Sequence, residues 1–440
     1  MPGSGLMEPR LIPQSEHGLR PSSISKGARQ VLDQLAERGF VADLVGGCVR
    51  DLLLGRIPKD FDVVSDATPE EIRQIFPRSR IIGRRFRIVH VRVGREIIEV
   101  STYRAAVDEY ADDERKKFSE HGQILRDNTF GTRDQDVLRR DFTINALYYD
   151  LRTGVVIDYV DGFSDVKAGR LRFIGDAPRR IDEDPVRMLR IARFRAKLNL
   201  KIESKLTRLC AERAFLLRHV PPARLFDEAL KLFHSGHAVA SFNELRDLGL
   251  FAELFPEANR TFEKSDLDPE SGLVISALSN TDKRIAANKP VIAAFLFAVF
   301  LWRAVYRRVF DKGADHPPSL MQLQTAGGQV LALELQRIAI PRRVSTVVLE
   351  IWEMQLRLEA RRPRTVSRVL EHKRFRAGYD VLVLRANTGE VSKSLADWWT
   401  EIQELNAEGQ RNMVQALGPA KSAGKRRRRP RKRGARLSRT

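Results

Sequence analysis

The stretch LVGGCVRDLLLGRIPKDFDVV, residues 44–64, decides how the first part of the chain folds. An apolar run ends at a pair of glycines, a short helical pattern follows, and the alternation in DFDVV then predicts a strand. Residues two apart on a strand point the same way, so Asp60 and Asp62 would present two carboxylates on one face. The stretch therefore predicts a strand–turn–helix–strand unit with paired acids at its end.

Paired carboxylates repel each other unless a cation lies between them. Mg²⁺ suits oxygen ligands and commonly joins a carboxylate pair to substrate phosphates. We therefore expect Asp60 and Asp62 to hold Mg²⁺ or Mn²⁺, between which the sequence does not choose. For an Asp-x-Asp pair taken alone, the alternative is a solvated strand edge or turn.

The glycine pair favours a phosphate-bearing substrate beside these acids. Gly46 and Gly47 let the backbone approach a phosphate closely, and the N-terminus of the following helix attracts anions. The chain contains neither G-x-G-x-x-G nor GK[ST] at this point, so the stretch is not a Rossmann or Walker motif.

Four motifs in chain order resemble the nucleotidyltransferases of the DNA polymerase beta superfamily, in the branch that contains bacterial poly(A) polymerases and tRNA CCA-adding enzymes. They are GGCVRDLLLG with DFDVV, RRDFTINALYYD at 139–150, VDGFSDVKAGRLRFIG at 160–175 and EDPVRMLRIARFRAKLNL at 183–200. The resemblance implies an α+β fold. A nucleotidyltransferase head with a small mixed or antiparallel sheet and helices would precede an all-helical neck, body and C-terminal region and a disordered basic tail.

The expected domain organisation combines this resemblance with composition and periodicity. It comprises a disordered arm at 1–24, a catalytic head at 25–175, a helical nucleotide-base and RNA-binding neck and body at 176–260, a helical Arg-rich RNA-binding region at 261–417 and a basic disordered tail at 418–440.

The resemblance also implies roles for individual side chains. Asp60 and Asp62 would hold the metals, and Asp141 would be a further catalytic acid that completes a metal site or holds the ribose. An ion pair of Asp141 with Arg139 or Arg140 is the alternative. The expected nucleotide-binding residues are Gly46, Gly47, Arg50, Arg140, Asp184, Arg187, Arg190 and Arg193.

Three of these arginines can be argued from spacing. Arg187, Arg190 and Arg193 are three apart, so they lie along one flank of a helix and could meet a triphosphate and a base together. The alternative is a solvated, salt-bridged helix. The resemblance assigns Asp184 and Arg187 to the base edge, where they would accept from an exocyclic amine and donate to a ring acceptor. Adenine and cytosine both offer that combination, so the pair does not separate ATP from CTP.

One stretch favours the poly(A) polymerases over the CCA-adding enzymes. IIGRRFRIVHV, residues 81–91, resembles the poly(A) polymerase signature, whereas CCA-adding enzymes more often carry a Gly-x-x-Phe-Gly pattern here. Arg84, Arg85 and Arg87 would then lie near the active site and contact RNA. An ordinary strand with exposed basic residues is the alternative.

The charge of the chain predicts a polyanionic partner, either nucleic acid or an anionic membrane surface. The 440 residues carry a formal charge of +20, of which 11 charges lie in residues 421–440, where there is no acid. Such a tail would bind RNA phosphates without sequence preference, unless it is only a solvated charge run or a localisation element. Its candidate RNA-binding residues are Lys425, Arg426, Arg427, Arg428 and Arg429.

Cysteine usage and hydropathy predict a cytoplasmic protein. Cys48 and Cys210 fit no metal-ligand spacing and no disulfide framework, and Cys48 reads as a small buried residue. The N-terminus lacks the apolar core of a signal peptide. The most apolar run, residues 291–302, is too short to cross a bilayer and predicts a buried helix.

The expected function is template-independent transfer of AMP from ATP to RNA 3′ ends, which the family implies would promote RNA decay. ATP and RNA are the expected partners, and DNA is not. One alternative is a CCA-adding enzyme, which would use CTP and prefer tRNA ends. The other is a catalytically inactive RNA-binding protein with a degenerate transferase domain.

Overall fold

A computed structural model describes residues 8–83, 87–105, 130–262, 269–310 and 318–418, together with the backbone of 117–118 and 124–126. Some predictions therefore lie outside the described residues. They are the contacts of Arg84 and Arg85, and the whole basic tail with Lys425, Arg426, Arg427, Arg428 and Arg429.

An eight-stranded mixed sheet forms the first part of the chain. Its strands, in order across the sheet, are β1 (Arg10–Ile12), β10 (Val155–Asp158), β9 (Leu147–Asp150), β2 (Ala42–Val45), β3 (Asp62–Ser65), β6 (Glu96–Thr102), β5 (Ile88–Val93) and β4 (Ser79–Ile82). All neighbours in it are antiparallel except β3 and β6, which are parallel. The predicted mixed sheet is confirmed, although it is larger than expected. The short strands β7 (Lys117–Phe118) and β8 (Ile124–Arg126) form a separate pair.

The opening stretch folds as a strand–turn–helix–strand unit in the centre of the sheet. Strand β2 ends one residue before Gly46, helix α3 (Gly47–Leu53) follows, and β3 begins at Asp62. Asp60 lies in a bend before β3, so the same-face argument that placed both aspartates on a strand is wrong. Leu44 and Val63 are fully buried neighbours across β2 and β3, which fixes the register of the unit.

The chain's first described residues are ordered, so the disordered arm expected over 1–24 is wrong for residues 8–24. Strand β1 pairs antiparallel with β10, and Ile12 is fully buried at that sheet edge. His17 lies in α1 (Gln14–His17), and its ring Nε2 is 2.9 Å from the carbonyl oxygen of Gly154. The Gly- and Ser-rich composition suggested disorder because ordering such a segment costs backbone entropy. Burial of Ile12 and these hydrogen bonds offset that cost.

Helix α4 (Pro69–Ile75) begins with the predicted cap. The Thr68 hydroxyl accepts the N–H of Glu71 at 3.3 Å, and the Glu71 carboxylate accepts the N–H of Thr68 at 2.8 Å, which completes a capping box. Pro69 occupies the first helical position, where no intrahelical N–H is needed.

The chain after residue 181 is helical, as the periodicity predicted. The remaining helices are α2 (Lys26–Glu37), α5 (Arg133–Arg139), α6 (Gly162–Ala168), α7 (Ala177–Glu183), α8 (Val186–Leu198), α9 (Ser204–Arg213), α10 (Pro222–Phe233), α11 (Ala238–Asp247), α12 (Phe251–Leu254), α13 (Pro256–Phe262), α14 (Pro269–Ala286), α15 (Ala293–Val309), α16 (Leu320–Leu335), α17 (Arg342–Ala360), α18 (Val366–Leu370), α19 (Phe375–Asn387), α20 (Lys393–Glu404) and α21 (Ala407–Gln415). Helix α15 contains most of the apolar run at 291–302 and is largely buried, as predicted. No helix in the described part of the chain combines the length and apolarity needed to cross a bilayer.

The chain divides into two compact units, and neither is a continuous stretch. Unit 1 comprises Met1–Lys264, Leu278–Ala293 and Leu331–Pro341, and unit 2 comprises Ser265–Ala277, Ala294–Val330 and Arg342–Thr440. The domain boundaries expected at 175, 260 and 417 stay predictions.

The late segment Leu331–Pro341 is bonded into unit 1. The N–H of Ala339 donates to the carbonyl of Pro222 at 3.2 Å. The fully buried carboxyl group of Glu334 accepts the N–H of Glu257 at 3.3 Å, at the start of α13 (Pro256–Phe262). Unit 1 is therefore completed by residues far along the sequence.

Unit 2 has its own apolar core. Its helices α17, α19 and α20 contribute Met354, Leu358, Tyr379 and Trp399, all of which are buried. The indole N–H of Trp399 donates to the carbonyl of Leu358 at 2.9 Å, so the ring is satisfied inside the core.

Candidate active site

The glycine turn has a backbone conformation that other residues rarely adopt. Gly46 has φ +77° and ψ −126°, outside the regions open to residues with a Cβ. A Cβ at Gly46 would lie 3.5 Å from Nη1 of Arg140, and one at Gly47 would lie 3.6 Å from Nη2 of Arg50. Two of the predicted phosphate-binding arginines thus flank the predicted glycine pair.

The acidic part of the site contains Asp62, Asp60 and Glu99. Strands β3 and β6 pair Asp62 with Glu99, and burial, Glu99 and Asp60 together raise the pKa of Asp62 to about 6 against the opposing charge of Arg140. Within the described residues, the Asp62 carboxylate has no hydrogen-bond or ion-pair partner. A half-buried carboxylate without a partner, beside two further carboxylates, suits a divalent cation.

No group of three or more His, Cys, Asp or Glu side chains is arranged to hold a metal by itself in the described ranges. Asp60 and Asp62 fit a cation that takes its remaining ligands from substrate oxygens and water, as Mg²⁺ commonly does. The residues present are therefore compatible with the predicted metal, provided that a nucleotide supplies part of its coordination.

Arg140 lies close to both the glycine turn and Asp62. Its Nε and Nη2 donate to Asp136 at 2.9 and 2.7 Å, and its guanidinium lies 5.3 Å from the centre of the Tyr148 ring. Its positive charge acts on Asp62. The predicted contact of Arg140 with a triphosphate stays a prediction.

Three guanidinium groups surround the ring of Phe194 on helix α8. Those of Arg50, Arg190 and Arg193 lie 5.2, 5.8 and 4.9 Å from the ring centre. Arg50 is paired with Asp51 at 2.6 Å. Arg193 makes no ion pair within the described chain. Burial lowers the pKa of Arg193, with Glu228 opposing the shift and Arg190 and Arg50 adding to it. The cluster therefore carries uncompensated positive charge, which favours an anion.

Asp141 belongs to this arginine cluster. Its Oδ2 lies 2.7 Å from Nη2 of Arg190, and its Oδ1 accepts the N–H of Phe142 at 2.8 Å. The alternative of an ion pair with Arg139 or Arg140 is therefore wrong, because both of those side chains bond to Asp136. The charged neighbours that shift the pKa of Asp62 do not include Asp141.

The predicted base-edge residues are held by ion pairs. Both oxygens of Asp184 accept from Arg224, at 2.8 and 2.7 Å. Nη1 of Arg187 donates to Glu183 at 2.9 Å and to the carbonyl of Arg180 at 2.5 Å. Their orientation is therefore set before any nucleotide binds.

Two predicted residues have partners of their own. Arg87 pairs with Glu70 at the surface. Cys48 is buried, its thiol donates to the carbonyl of Val45, and burial raises its pKa to about 12, which excludes a nucleophile and confirms the packing role.

Sequence reasoning missed four groups that shape the site: Glu99, Asp136, Tyr148 and Arg224. The i, i+3 and i, i+4 spacing of Asp136 to Arg139 and Arg140 was a readable signal on a helix. Glu99 and Arg224 carried no local signal, because each meets its partner through pairing between distant segments.

Comparisons with known families cover most of the chain. Residues 42–172 match the model of the Poly A polymerase head domain. Residues 199–262 match that of the probable RNA and SrmB-binding site of polymerase A, and residues 316–433 match that of the polymerase A arginine-rich C-terminus.

The chain is also similar in sequence to individual proteins of this kind. The chain is 43% identical to Poly(A) polymerase I of Haemophilus influenzae over 410 residues, which are 92% of this chain and 90% of that protein. It is 39% identical to the CCA-adding enzyme of Lactococcus lactis subsp. cremoris over 208 residues, or 47% of this chain and 49% of that one.

A solved structure shares the fold. The CCA-adding enzyme of Bacillus stearothermophilus, in complex with CTP, superposes with a TM-score of 0.57 at 21% identity, covering 91% of this chain and 89% of that one.

Proposed function

Because the chain belongs to the Poly(A) polymerase I family, we propose that it adds AMP from ATP to the 3′ ends of RNA without a template. The observation that carries the proposal is the glycine turn, with Arg140 beside Gly46, Arg50 beside Gly47, and nearby the Asp62 carboxylate, which has no partner among the described residues. Groups suited to a phosphate chain would thus lie beside groups suited to a cation. Phosphoryl transfer depends chiefly on that combination of positioning and electrostatics.

The triphosphate would lie along the glycine turn. Gly46 and Gly47 leave the backbone open to its oxygens, and Arg140 would neutralise it from one side. Arg190 and Arg193, the latter without an ion pair among the described residues, would neutralise it from the other side. The RNA 3′-hydroxyl would attack the α-phosphate in line and release pyrophosphate.

Asp60 and Asp62 would hold the divalent cation. Such an ion, when bound, would neutralise the leaving group and acidify the attacking hydroxyl. Asp141, held by Arg190 and the N–H of Phe142, is the further acid of the site and is better placed to orient the ribose than to share that cation.

Asp184 and Arg187 would read the adenine. A carboxylate offers about four acceptor positions, so Asp184 can accept from the exocyclic amine while it remains paired with Arg224. Arg187 keeps further N–H donors for a ring nitrogen, since only its Nη1 is engaged with Glu183 and the carbonyl of Arg180. The bonds to Arg224 and Glu183 fix these two side chains and so favour one base size.

The RNA would be held by basic residues beyond the nucleotide site. Arg84, Arg85, Arg87 and the tail residues Lys425 and Arg426–Arg429 are the candidates from sequence. A reducing cytoplasm suits the two free cysteines, Cys48 and Cys210, both buried.

The CCA-adding enzyme is the second candidate, and it shares the fold. The extent of the match favours the poly(A) polymerase, because the Lactococcus lactis enzyme matches only 47% of the chain. An inactive RNA-binding protein is disfavoured because the sequence retains Asp60, Asp62, Asp141, Asp184 and Arg187.

The deciding experiment is extension of a labelled RNA without a tRNA-like end, supplied with Mg²⁺ and one nucleotide at a time. A tRNA lacking its 3′ end runs alongside, and Asp62→Ala serves as the inactive control. Long ladders with ATP and little product with CTP are expected. A few additions that require CTP and occur only on the tRNA would identify a CCA-adding enzyme. RNA binding without extension would identify a binding protein.

A further inference from the structure

Asp136 is a buried carboxylate on helix α5 that receives donors from three side chains. It is 1% exposed. Its Oδ1 accepts Nε of Arg139 at 3.0 Å, and its Oδ2 accepts the Tyr148 hydroxyl at 2.8 Å as well as Nε and Nη2 of Arg140 at 2.9 and 2.7 Å. No ligand can reach so buried a group, so its effect must pass through the side chains that it binds.

The most consequential of these side chains is Arg140. Two of its nitrogens are engaged by Asp136, and Tyr148 also accepts from Nε at 3.0 Å. The remaining nitrogen, Nη1, lies beside Gly46. The guanidinium plane is therefore held along one edge, while its other edge faces the glycine turn.

The side chain of Asp136 is ionised. Burial alone would raise its pKa, but Arg140, Arg139 and the Tyr148 hydroxyl together lower it to about 2. The carboxylate is thus ionised at every pH at which the protein would work, and its bonds to Arg140 are charge-assisted throughout.

We propose that Asp136 is a positioning residue for nucleotidyl transfer, which fixes the guanidinium of Arg140 at the glycine turn before the triphosphate arrives. Without it, Arg140 would have to order its side chain during binding, and part of the binding free energy would be lost. This inference rests on the proposed function, since it assumes that the turn binds a triphosphate.

The same fold contains a matched control in Asp165. It is fully buried and likewise accepts from two arginines and one hydroxyl: Nε of Arg170 at 3.0 Å, Nε of Arg172 at 2.9 Å and the Thr143 hydroxyl at 2.7 Å. None of these arginines is a predicted nucleotide ligand. Asp165→Asn therefore reproduces the structural cost of neutralising such a carboxylate without moving Arg140.

The test compares ATP KM, kcat and thermal stability for Asp136→Asn and Asp165→Asn in the full chain. Arg140 would contact the triphosphate in the ground state and the transition state alike, so its misplacement should raise KM more than it lowers kcat. We expect Asp136→Asn to raise KM about tenfold, as the loss of a charge-assisted hydrogen bond implies. Both variants should lower Tm by similar amounts, but Asp165→Asn should leave the KM for ATP unchanged.

A double mutant separates positioning from general stability. The double variant Asp136→Asn/Arg140→Ala should have the same KM for ATP as Arg140→Ala alone, because the group that Asp136 positions is already absent. If the two effects multiply instead, Asp136 acts independently of Arg140 and the inference is wrong. The inference is equally wrong if Asp136→Asn and Asp165→Asn change KM alike.

A gentler variant covers the case in which Asp136→Asn does not fold. Tyr148→Phe removes one donor and keeps the carboxylate, so it should raise KM less than Asp136→Asn and should again add nothing to Arg140→Ala. An unchanged KM in Tyr148→Phe together with an unfolded Asp136→Asn would assign Asp136 to stability alone. If the unmodified chain neither binds nor incorporates ATP, the proposed function itself fails, which is a distinct result.

Discussion

Glu334 shows how strongly one buried residue can link folding to pH. It is fully buried, and burial, with the nearby charge of Glu257, raises its pKa to about 8, although the N–H of Glu257 opposes the shift. The folded state therefore holds a proton that the unfolded chain releases near its ordinary pKa of 4.5. The contribution of Glu334 to the free energy of unfolding is therefore greatest at low pH and is lost as the pH rises from 4.5 towards 8.

The first prediction follows from that sign. Glu334→Gln stays neutral, so its stability relative to the unmodified protein should increase with pH, by about 1 kcal/mol per pH unit between pH 5 and pH 8. Urea unfolding at several pH values measures the difference. A pH-independent difference would show that Glu334 is ionised in the folded protein or is not buried.

Gly46 gives the second prediction. Gly46→Ala should destabilise the protein by about 1–3 kcal/mol, because the backbone conformation excludes a Cβ. It should also raise the KM for ATP, since the methyl group would lie 3.5 Å from Nη1 of Arg140.

The matched control is Gly39→Ala. Gly39 also has a positive φ, +86°, but a Cβ there would contact nothing within 4 Å. Denaturation and steady-state kinetics should show strain in both variants and a changed KM only in Gly46→Ala. Equal KM values for ATP in Gly46→Ala and Gly39→Ala would show that Gly46 does not contribute to nucleotide binding.

Local motifs were predictable at the scale of single residues, and partners across the fold were not. The sequence indicated Gly46, Asp62 and Arg140 because each lies in a short motif with its own chemistry. Glu99 escaped notice because its place beside Asp62 depends on the parallel pairing of β3 and β6. The contact of Asp141 with Arg190 also depends on how α8 packs, which no local pattern gives.

At the scale of elements, strand β1 shows that a short segment can be ordered by its partner. Its three residues pair with β10 and bury Ile12 at the sheet edge. Composition alone therefore gave the wrong expectation for residues 8–24, whereas the helices and the α4 capping box, which depend on local periodicity and caps, were predictable.

The third prediction concerns this strand. Deletion of residues 1–13 should lower Tm, because it exposes β10 and removes the buried Ile12. Differential scanning fluorimetry on the full-length and shortened proteins measures the change. An unchanged Tm in the shortened protein would mean that β1 does not stabilise the sheet.

At the scale of the whole molecule, charge is concentrated where the chain ends. Eleven basic residues and no acid lie within 421–440. For single-stranded nucleic acid, each phosphate contact adds about −0.7 to the slope of log affinity against log salt.

The fourth prediction is that deletion of residues 419–440 reduces the magnitude of this slope by several units for RNA binding. The KM for ATP should stay unchanged, because the nucleotide residues all lie in unit 1. Fluorescence anisotropy over a range of salt concentrations measures the slope. The same slope in both proteins would show that the tail does not grip RNA.

The interleaving of the two units has a consequence for synthesis on the ribosome. Domains generally fold in the order in which they emerge, but unit 1 is complete only after Leu331–Pro341 has left the exit tunnel. Until then the nascent chain exposes the surfaces that Ala339 and Glu334 will occupy beside Pro222 and Glu257. Translation must therefore run through the first two segments of unit 2, Ser265–Ala277 and Ala294–Val330, before unit 1 can close, and a ribosome stalled near residue 264 would carry an incomplete unit 1.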